Sequence, residues 1–362
     1  MDFQLSDDQR ALRSGMRDLL GAVFDRDRLR AAVERGGALD RALWRELGEA
    51  GFFALRLPEE DGGVGLGLPD AVLLFEEAGR ALLPGPLVAT HLAAGRVKGA
   101  AEGAAVVTAA DGDRPVAHLA EADAVLTGDG PLDGEALRAF VAAARPVRSM
   151  DPLTPLHLPP TGRAPGSAAS ASGRVPGCAA SAPERVAAPA ASAPRRAPAY
   201  AGRLRYEAAL LSAAEQLGSA ARTTEMAVQH ARERAQFGAP IGSFQAVKHL
   251  CADMLARTEP ARAAVYAAAV TGDPLEIAAA KLLADEAAVR NARDCLQIHG
   301  GMGFTWEADV HLHLKRAWLR GATGLTEAEA EEELAAGLGA VPSRSGSSAA
   351  YGPGRAQAGG GA

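Results

Sequence analysis

Apolar residues recur at helical spacing in two long stretches of this 362-residue chain, and between them the pattern breaks into short alternating runs. Near the N-terminus Leu12, Met16, Leu19, Leu20 and Val23 form one stripe, preceded by Ser6 and Gln9 at the spacing of a capping box. A second helix is predicted to start at Asp40, to carry Leu43, Trp44 and Leu47, and to stop near Gly51, which can take the left-handed conformation past a helix end. The run from Pro58 to Gly65 is a loop. A third helix starts at Pro69, carries Val72, Leu73, Phe75, Leu82 and Leu83, and ends at Pro84-Gly85-Pro86. Residues 1–95 thus form a helical N-terminal domain.

From about Ala104 to His157 the signal changes to weak strands, Ala105–Thr108, Val116–Leu119 and Asp123–Leu126, and residues 96–158 are expected to form a reduced middle β segment. Residues 159–202 then collapse into Ala, Pro, Ser, Gly and Arg, as does the tail, residues 341–362; neither offers enough apolar surface to offset its ordering entropy, so a linker and a disordered tail are expected. The alphabet of both tracts is also that of a GC-rich coding sequence read out of frame.

Helical periodicity returns over residues 203–340. One stripe is Leu210, Leu211, Ala214, Leu217, Ala221 and Val228; a second is Phe244, Val247, Leu250, Cys251, Met254 and Leu255. A third runs from Ile277 through Leu296 and a fourth from Val310 to Leu319, which with short connections predicts an antiparallel four-helix bundle. The fold class is therefore mainly α.

The net charge of −6, with no Lys/Arg-rich run, argues against nucleic acid as a partner. No apolar stretch is long enough to span a bilayer and the N-terminus lacks the pattern of a signal peptide. Cys178, Cys251 and Cys295 stand far apart with no C-x-x-C spacing, suggesting neither a disulfide framework nor a zinc site, and a reducing cytoplasm fits best. His311 and His313, two residues apart on a helix, point away from one another and suggest no metal site.

Two motifs carry chemistry. In Arg234-x-Gln236-Phe237-Gly238-x-x-Ile241-x-x-Phe244-Gln245 a guanidinium offers planar donors to diphosphate oxygens, an amide adds a polar contact, and glycine lets the chain turn. In Gln297-Ile-His299-Gly300-Gly301-Met-Gly303-Phe304-Thr305 the glycines can present backbone N–H groups to an anion. Each taken alone also reads as an ordinary helix connector. In order and spacing the pair resembles the acyl-CoA dehydrogenase family. The Pro58-Glu-Glu-Asp-Gly-Gly loop, the opening Phe3-x-Leu-Ser-x-Asp-Gln9 run, Asp253-Met254 and Ala280-Lys281 resemble family positions too, so the likeness covers about residues 1–95 and 203–320. It implies FAD as cofactor, with Arg234, Gln236, Phe237 and Gln245 contacting FAD bound mainly by a neighbouring subunit and Gln297, Gly300 and Gly301 holding its ADP portion.

Two family features are missing. Nothing matches the Thr-Glu-Pro and Gly-Ser-Asp run of the family's middle domain, which cradles the flavin ring and acyl chain. The usual catalytic glutamate falls on Gly324 when counted from Gly303-Phe304, and Glu327, three residues late, shares a stretch of acidic residues that reads as a solvated face. The family's alternative position, on the first helix of the C-terminal domain, falls on Ala208 beside Glu207. One residue of displacement turns a helical side chain by about 100°; Glu207 is nevertheless the candidate base, with Glu215 expected on the bundle surface.

The resemblance implies an FAD-dependent oxidoreductase that desaturates an acyl-CoA thioester, fatty or steroid-derived, between its α and β carbons. It also implies an electron-transfer flavoprotein or similar acceptor, and a homo- or hetero-oligomer. The losses leave two other readings open: a non-catalytic partner subunit of a heteromeric acyl-CoA dehydrogenase, or a nonfunctional remnant.

Overall fold

The computed structural model describes residues 4–160 and 202–339. Most of the low-complexity linker, the expected tail and Cys178 lie outside the described residues. The N-terminal elements are α1 (Asp7–Val23), α2 (Arg26–Glu34), α3 (Arg41–Glu49), α4 (Leu68–Arg80) and α5 (Leu87–Ala93). The capping box is present: Ser6 Oγ accepts from Gln9 N at 3.1 Å, and Gln9 Oε1 accepts from Ser6 N at 3.2 Å. Asp40 caps α3 by accepting from Ala42 N at 2.9 Å.

The helix α2 was not foreseen, because its Arg-rich run shows only Leu29, Ala32 and Val33 as a stripe; Asp25 caps it, accepting from Arg28 N at 2.9 Å. The third expected helix is shorter than its apolar pattern. It stops at Arg80, and Leu82 turns into a left-handed conformation at φ 55° while keeping its side chain buried.

The middle segment holds two small sheets. In one, β1 (Val107–Ala109) pairs in parallel with β3 (Ala124–Thr127), which pairs antiparallel with β4 (Gly130–Leu132). In the other, β6 (Leu156–Leu158) lies between β2 (Val116–Ala117) and β5 (Arg145–Val147). An unforeseen helix, α6 (Gly134–Ala143), packs Leu137 and Phe140 onto Val116, Leu119 and Val125.

The C-terminal domain comprises α7 (Arg203–Glu233), α8 (Gln245–Thr271), α9 (Pro274–His299), α10 (Val310–Gly321) and α11 (Glu327–Gly339), with a hairpin of β7 (Ala235–Gln236) and β8 (Ala239–Pro240) after α7. The acidic stretch on α11 is not simply solvated, since Glu329 pairs with Arg114 at 2.7 Å and Glu333 pairs with Arg205. Among the described residues no helix is long and apolar enough to cross a membrane.

Helix α4 packs into this bundle, and glycine sets how closely. A Cβ on Gly218 of α7 would lie 1.8 Å from the Glu76 carbonyl oxygen of α4, and one on Gly79 of α4 would lie 1.9 Å from the Glu215 carbonyl oxygen of α7. The two backbones therefore touch without intervening side chains. Ion pairs flank the contact: buried Glu77 accepts from Arg17 of α1 at 2.6 and 2.8 Å, and buried Glu76 accepts from Tyr266 Oη of α8 at 2.6 Å and pairs with Arg262. Burial and then the Glu76 charge push the Tyr266 hydroxyl up to about 12, so it stays protonated as a donor.

Gly218→Ala is expected to force α4 and α7 apart and to cost about 1–3 kcal/mol or more, as overpacking a dense core does. Gly21→Ala on α1, where an added Cβ has nothing within 4 Å, is expected to be neutral or stabilising. Thermal unfolding of the two variants checks this; equal melting temperatures would show that the helix crossing has slack.

Candidate active site

A cavity of about 210 Å³ lies between α7, α10, the start of α5 and the middle sheets. Ala208, Ser212 and Glu215 line it from one face of α7, at the i, i+4, i+7 spacing that stacks side chains along a helix. Arg316 and Arg320 line it from α10, and Gly324 from the turn that follows. Both positions where the family's base was sought, Ala208 and Gly324, thus face one cavity, and neither carries a carboxyl.

Glu215 is not on the bundle surface, as its sequence context had suggested. It is 5% exposed, because α4 and α10 cover that face of α7. Its Oε1 accepts from Arg320 Nη2 at 2.6 Å. Burial pushes its carboxyl above the ordinary glutamate range, with Arg320 and Arg316 opposing the shift less strongly. Burial likewise lowers the Arg320 guanidinium to about 10, still charged at neutral pH.

Glu207 is held differently. Its side chain accepts from Arg56 Nη1 at 2.8 Å and from Arg203 Nε at 2.7 Å, and it is not among the residues lining the cavity. Burial pushes its carboxyl up, but the hydrogen bond and charge of Arg56, joined by Arg203, outweigh that and leave it below the ordinary range. A carboxylate so stabilised is a poor proton acceptor.

Arg316 joins the cavity wall to the middle segment. Its Nε donates to buried Asp151 at 2.5 Å and its Nη1 to the Leu83 carbonyl at 2.9 Å. Neither Arg316 nor Asp151 stood out in the sequence, since both are ordinary charged residues until the fold buries them 165 positions apart. Nor do His311 and His313 act together: His311 stacks on Trp306 with ring centroids 5.0 Å apart, and buried His313 meets Ser219 Oγ at 2.8 Å. Among the described residues no cluster of His, Cys, Asp or Glu could hold a metal.

The two glycine-containing motifs meet at the far end of the bundle. The ring of His230, in the last turn of α7, stacks on that of His299, in the last turn of α9, with centroids 4.1 Å apart. His299 Nδ1 also lies 2.8 Å from the Cys295 carbonyl, so that ring is engaged within its own helix end. Phe237 and Gly238 both take positive φ, 53° and 80°, as the tight β7–β8 turn requires. Phe237 is 92% exposed, and its ring meets that of Phe244 edge to face at 6.1 Å. A bulky residue at positive φ costs energy, and burial does not repay it here. Arg234, Gln236, Gln245, Gln297, Gly300 and Gly301 are exposed around the same end, and no carboxylate among the described residues pairs with Arg234. Gly300 sits at φ 60°, ψ −140°, open to glycine alone, and a Cβ on either Gly300 or Gly301 would meet nothing within 4 Å.

Family models for the acyl-CoA dehydrogenase N-terminal and C-terminal domains match residues 6–99 and 200–327. The chain is 34% identical over 340 residues to acyl-CoA dehydrogenase IpdE2 of Mycobacterium tuberculosis, covering 90% of this chain and 95% of that protein. The chain belongs to the acyl-CoA dehydrogenase family. Its fold is that of a chain in the ChsE4–ChsE5 complex from Mycobacterium tuberculosis, with a TM-score of 0.74, 24% identity and coverage of 94% of this chain and 100% of that one. It is also that of a variant of the Tcur3481–Tcur3483 steroid ACAD, at 0.71, 23%, 92% and 98%.

Acyl-CoA dehydrogenases are FAD-dependent oxidoreductases acting on CH–CH groups, and the open end of this bundle fits such a cofactor. An exposed guanidinium, exposed amides and unobstructed glycine backbone together offer the kinds of donor a diphosphate would need. Arg234→Ala is expected to weaken FAD binding about 10–100-fold, the worth of one charge-assisted contact. Gly301→Val is expected to lose flavin while keeping its melting temperature, because the added side chain has room in the fold but blocks backbone approach. Absorbance at limiting FAD measures both, and full occupancy in Gly301→Val would reduce the turn to a connector.

Proposed function

We propose that this chain is one subunit of a heteromeric acyl-CoA dehydrogenase that desaturates a steroid-derived acyl-CoA between its α and β carbons, with FAD held across the subunit interface. The observation that carries this reading is the distance between grip and cavity. Arg234 lies about 28 Å beyond Glu215 along α7, at about 1.5 Å per residue, with Phe237 projecting away from the protein. A grip so placed suits a cofactor whose flavin ring serves a second subunit. Exposed Phe244, Met302, Phe304 and Trp306 beside it supply apolar surface that such a neighbour can cover.

FAD, when bound, supplies the acceptor for the β-hydride. Arg234, Gln236, Gln245, Gln297 and the two glycines bind its diphosphate and ADP end. The cavity residues of α7 and α10 hold the acyl group and exclude water from it. Two proteins of the same fold support the assembly and substrate class, one the ChsE4–ChsE5 complex and the other the Tcur3481–Tcur3483 steroid ACAD. Electrons then leave through an electron-transfer flavoprotein or similar acceptor.

Ala208 and Gly324 favour a second reading, a partner that binds cofactor without catalysing. Co-expression with the product of an adjacent acyl-CoA dehydrogenase gene separates the two. The expected result is a mixed oligomer that retains FAD and reduces an artificial electron acceptor with acyl-CoA, while the isolated chain shows no desaturation. A single-chain oligomer with full flavin and robust turnover would overturn the heteromeric assignment. A mixed oligomer whose activity is indifferent to substitutions around this chain's cavity would favour the non-catalytic partner.

A further inference from the structure

The cavity between α7, α10 and the middle sheets has a mostly apolar wall, with Pro86, Leu87, Val88, Leu156, Leu319 and Leu325 on it. Its charged lining is already balanced. Arg316 pairs with Asp151 at 2.5 Å, Arg320 with Glu215 at 2.6 Å, Arg114 with Asp111 at 2.9 Å, and Lys281 with Asp285. A further anion brought here would lose its hydration and find no unpaired cation, so a carboxylate or phosphate does not suit the site.

Hydrogen bonding is not balanced in the same way. Three buried polar atoms on residues of this wall have no partner among the described residues: Arg316 Nη2, Arg320 Nη1 and His118 Nε2. The first two are donors, since a guanidinium carries only N–H groups. The third is an acceptor. His118 Nδ1 lies 3.2 Å from Glu121 Oε2, and a carboxylate can only accept, so Nδ1 carries the ring proton. Burial holds the ring below the ordinary imidazole range, against the opposing bond to Glu121, so it is neutral at pH 7 and Nε2 keeps its lone pair. His118 is 1% exposed and stands at φ 52°, a left-handed conformation uncommon outside glycine, with its backbone N–H tied to the Pro155 carbonyl at 2.9 Å. Arg316 is 3% exposed and one turn from Arg320 on α10; its charge acts on both Arg320 and His118, so the three groups are near neighbours.

We infer that the cavity takes an acyl group whose apolar body carries a hydroxyl, accepting from Arg316 and Arg320 and donating to His118. A hydroxyl has two lone pairs and one O–H, which matches two unmet donors and one unmet acceptor. A ketone would satisfy the guanidinium groups but leave Nε2 unmatched, and a plain hydrocarbon would leave all three, each unmet buried group weakening binding. Asp151 and Glu215 hold the two arginines, and Glu121 fixes the tautomer of His118, so all three groups are set before a ligand arrives. The inference rests on the reading of this cavity as the acyl pocket and narrows its substrate class. It requires nothing of the flavin, whose proposed grip lies at the other end of α7.

The test is anaerobic equilibrium dialysis of the full-length chain, as it purifies from co-expression with its flavin and partner. The probes are octanoyl-CoA and cyclohexanepropanoyl-CoA bearing a hydroxyl, a ketone or a methyl group at ring position 3 or 4. At one ring position the alcohol is expected to bind about 10–100-fold tighter than its methyl counterpart, with the ketone between them. His118→Phe, which removes the acceptor, is expected to bring the alcohol down to the ketone and to leave the methyl compound's affinity in place. The wild-type series decides the matter even where that variant fails to fold. Alcohols that bind no tighter than the ketone and methyl forms would overturn the hydroxyl assignment and leave the acyl pocket standing. A preference for the alcohol that survives in folded His118→Phe would do the same. Binding of none of the probes, octanoyl-CoA included, would overturn both readings.

Discussion

The backbone contact between α4 and α7 is the constraint on which the rest of the molecule depends. Gly79 and Gly218 remove the side chains that would otherwise separate the two helices, so that each glycine lies against a carbonyl of the opposite helix. This brings the N-terminal domain into the bundle and makes one continuous core from Phe75 and Leu83 to Leu210 and Leu217. It also closes one side of the α7 face that carries Glu215. The shape of the cavity therefore depends on two missing methyl groups at the helix crossing.

Charge inside this core is confined to partners. Isolated buried carboxylates are unstable relative to hydrated ones, and paired ones gain little net stability but admit few alternative arrangements. The pairs here link elements rather than decorate them: Arg17–Glu77 joins α1 to α4, Arg262–Glu76 joins α8 to α4, and Arg316–Asp151 joins α10 to the middle segment. Arg320–Glu215 belongs to the same class but differs in one respect, because one carboxylate oxygen is left open to a cavity.

The opposite end of the bundle is built on another logic. Its residues are exposed, one of them holds an unfavourable backbone conformation, and the guanidinium there has no carboxylate partner among the described residues. Such an arrangement is costly for an isolated chain and reasonable for a surface completed by cofactor and neighbour. The stripe on α8 shows the same incompleteness, with Met254 buried while Phe244 and Leu255 remain exposed.

The sequence by itself determined what depends on neighbours along the chain. The Ser6–Gln9 box and the Asp40 cap could be read because caps act over three residues, and α7, α8 and α9 because their stripes are long. The two glycine-containing motifs could be picked out for the same reason, each being a contiguous run, and the fold brings them to one end of the bundle. Short elements such as α2 and α6 escaped, since brief runs with few apolar residues show little periodicity. What only the tertiary structure decided was which polar residues are enclosed, and by what. Periodicity places Glu207 and Glu215 on faces of α7 but says nothing of what covers each face. Arg56 and Arg203 occupy the first, whereas α4 and α10 bury the second beside a cavity, because burial is a property of the elements that meet and not of either one alone.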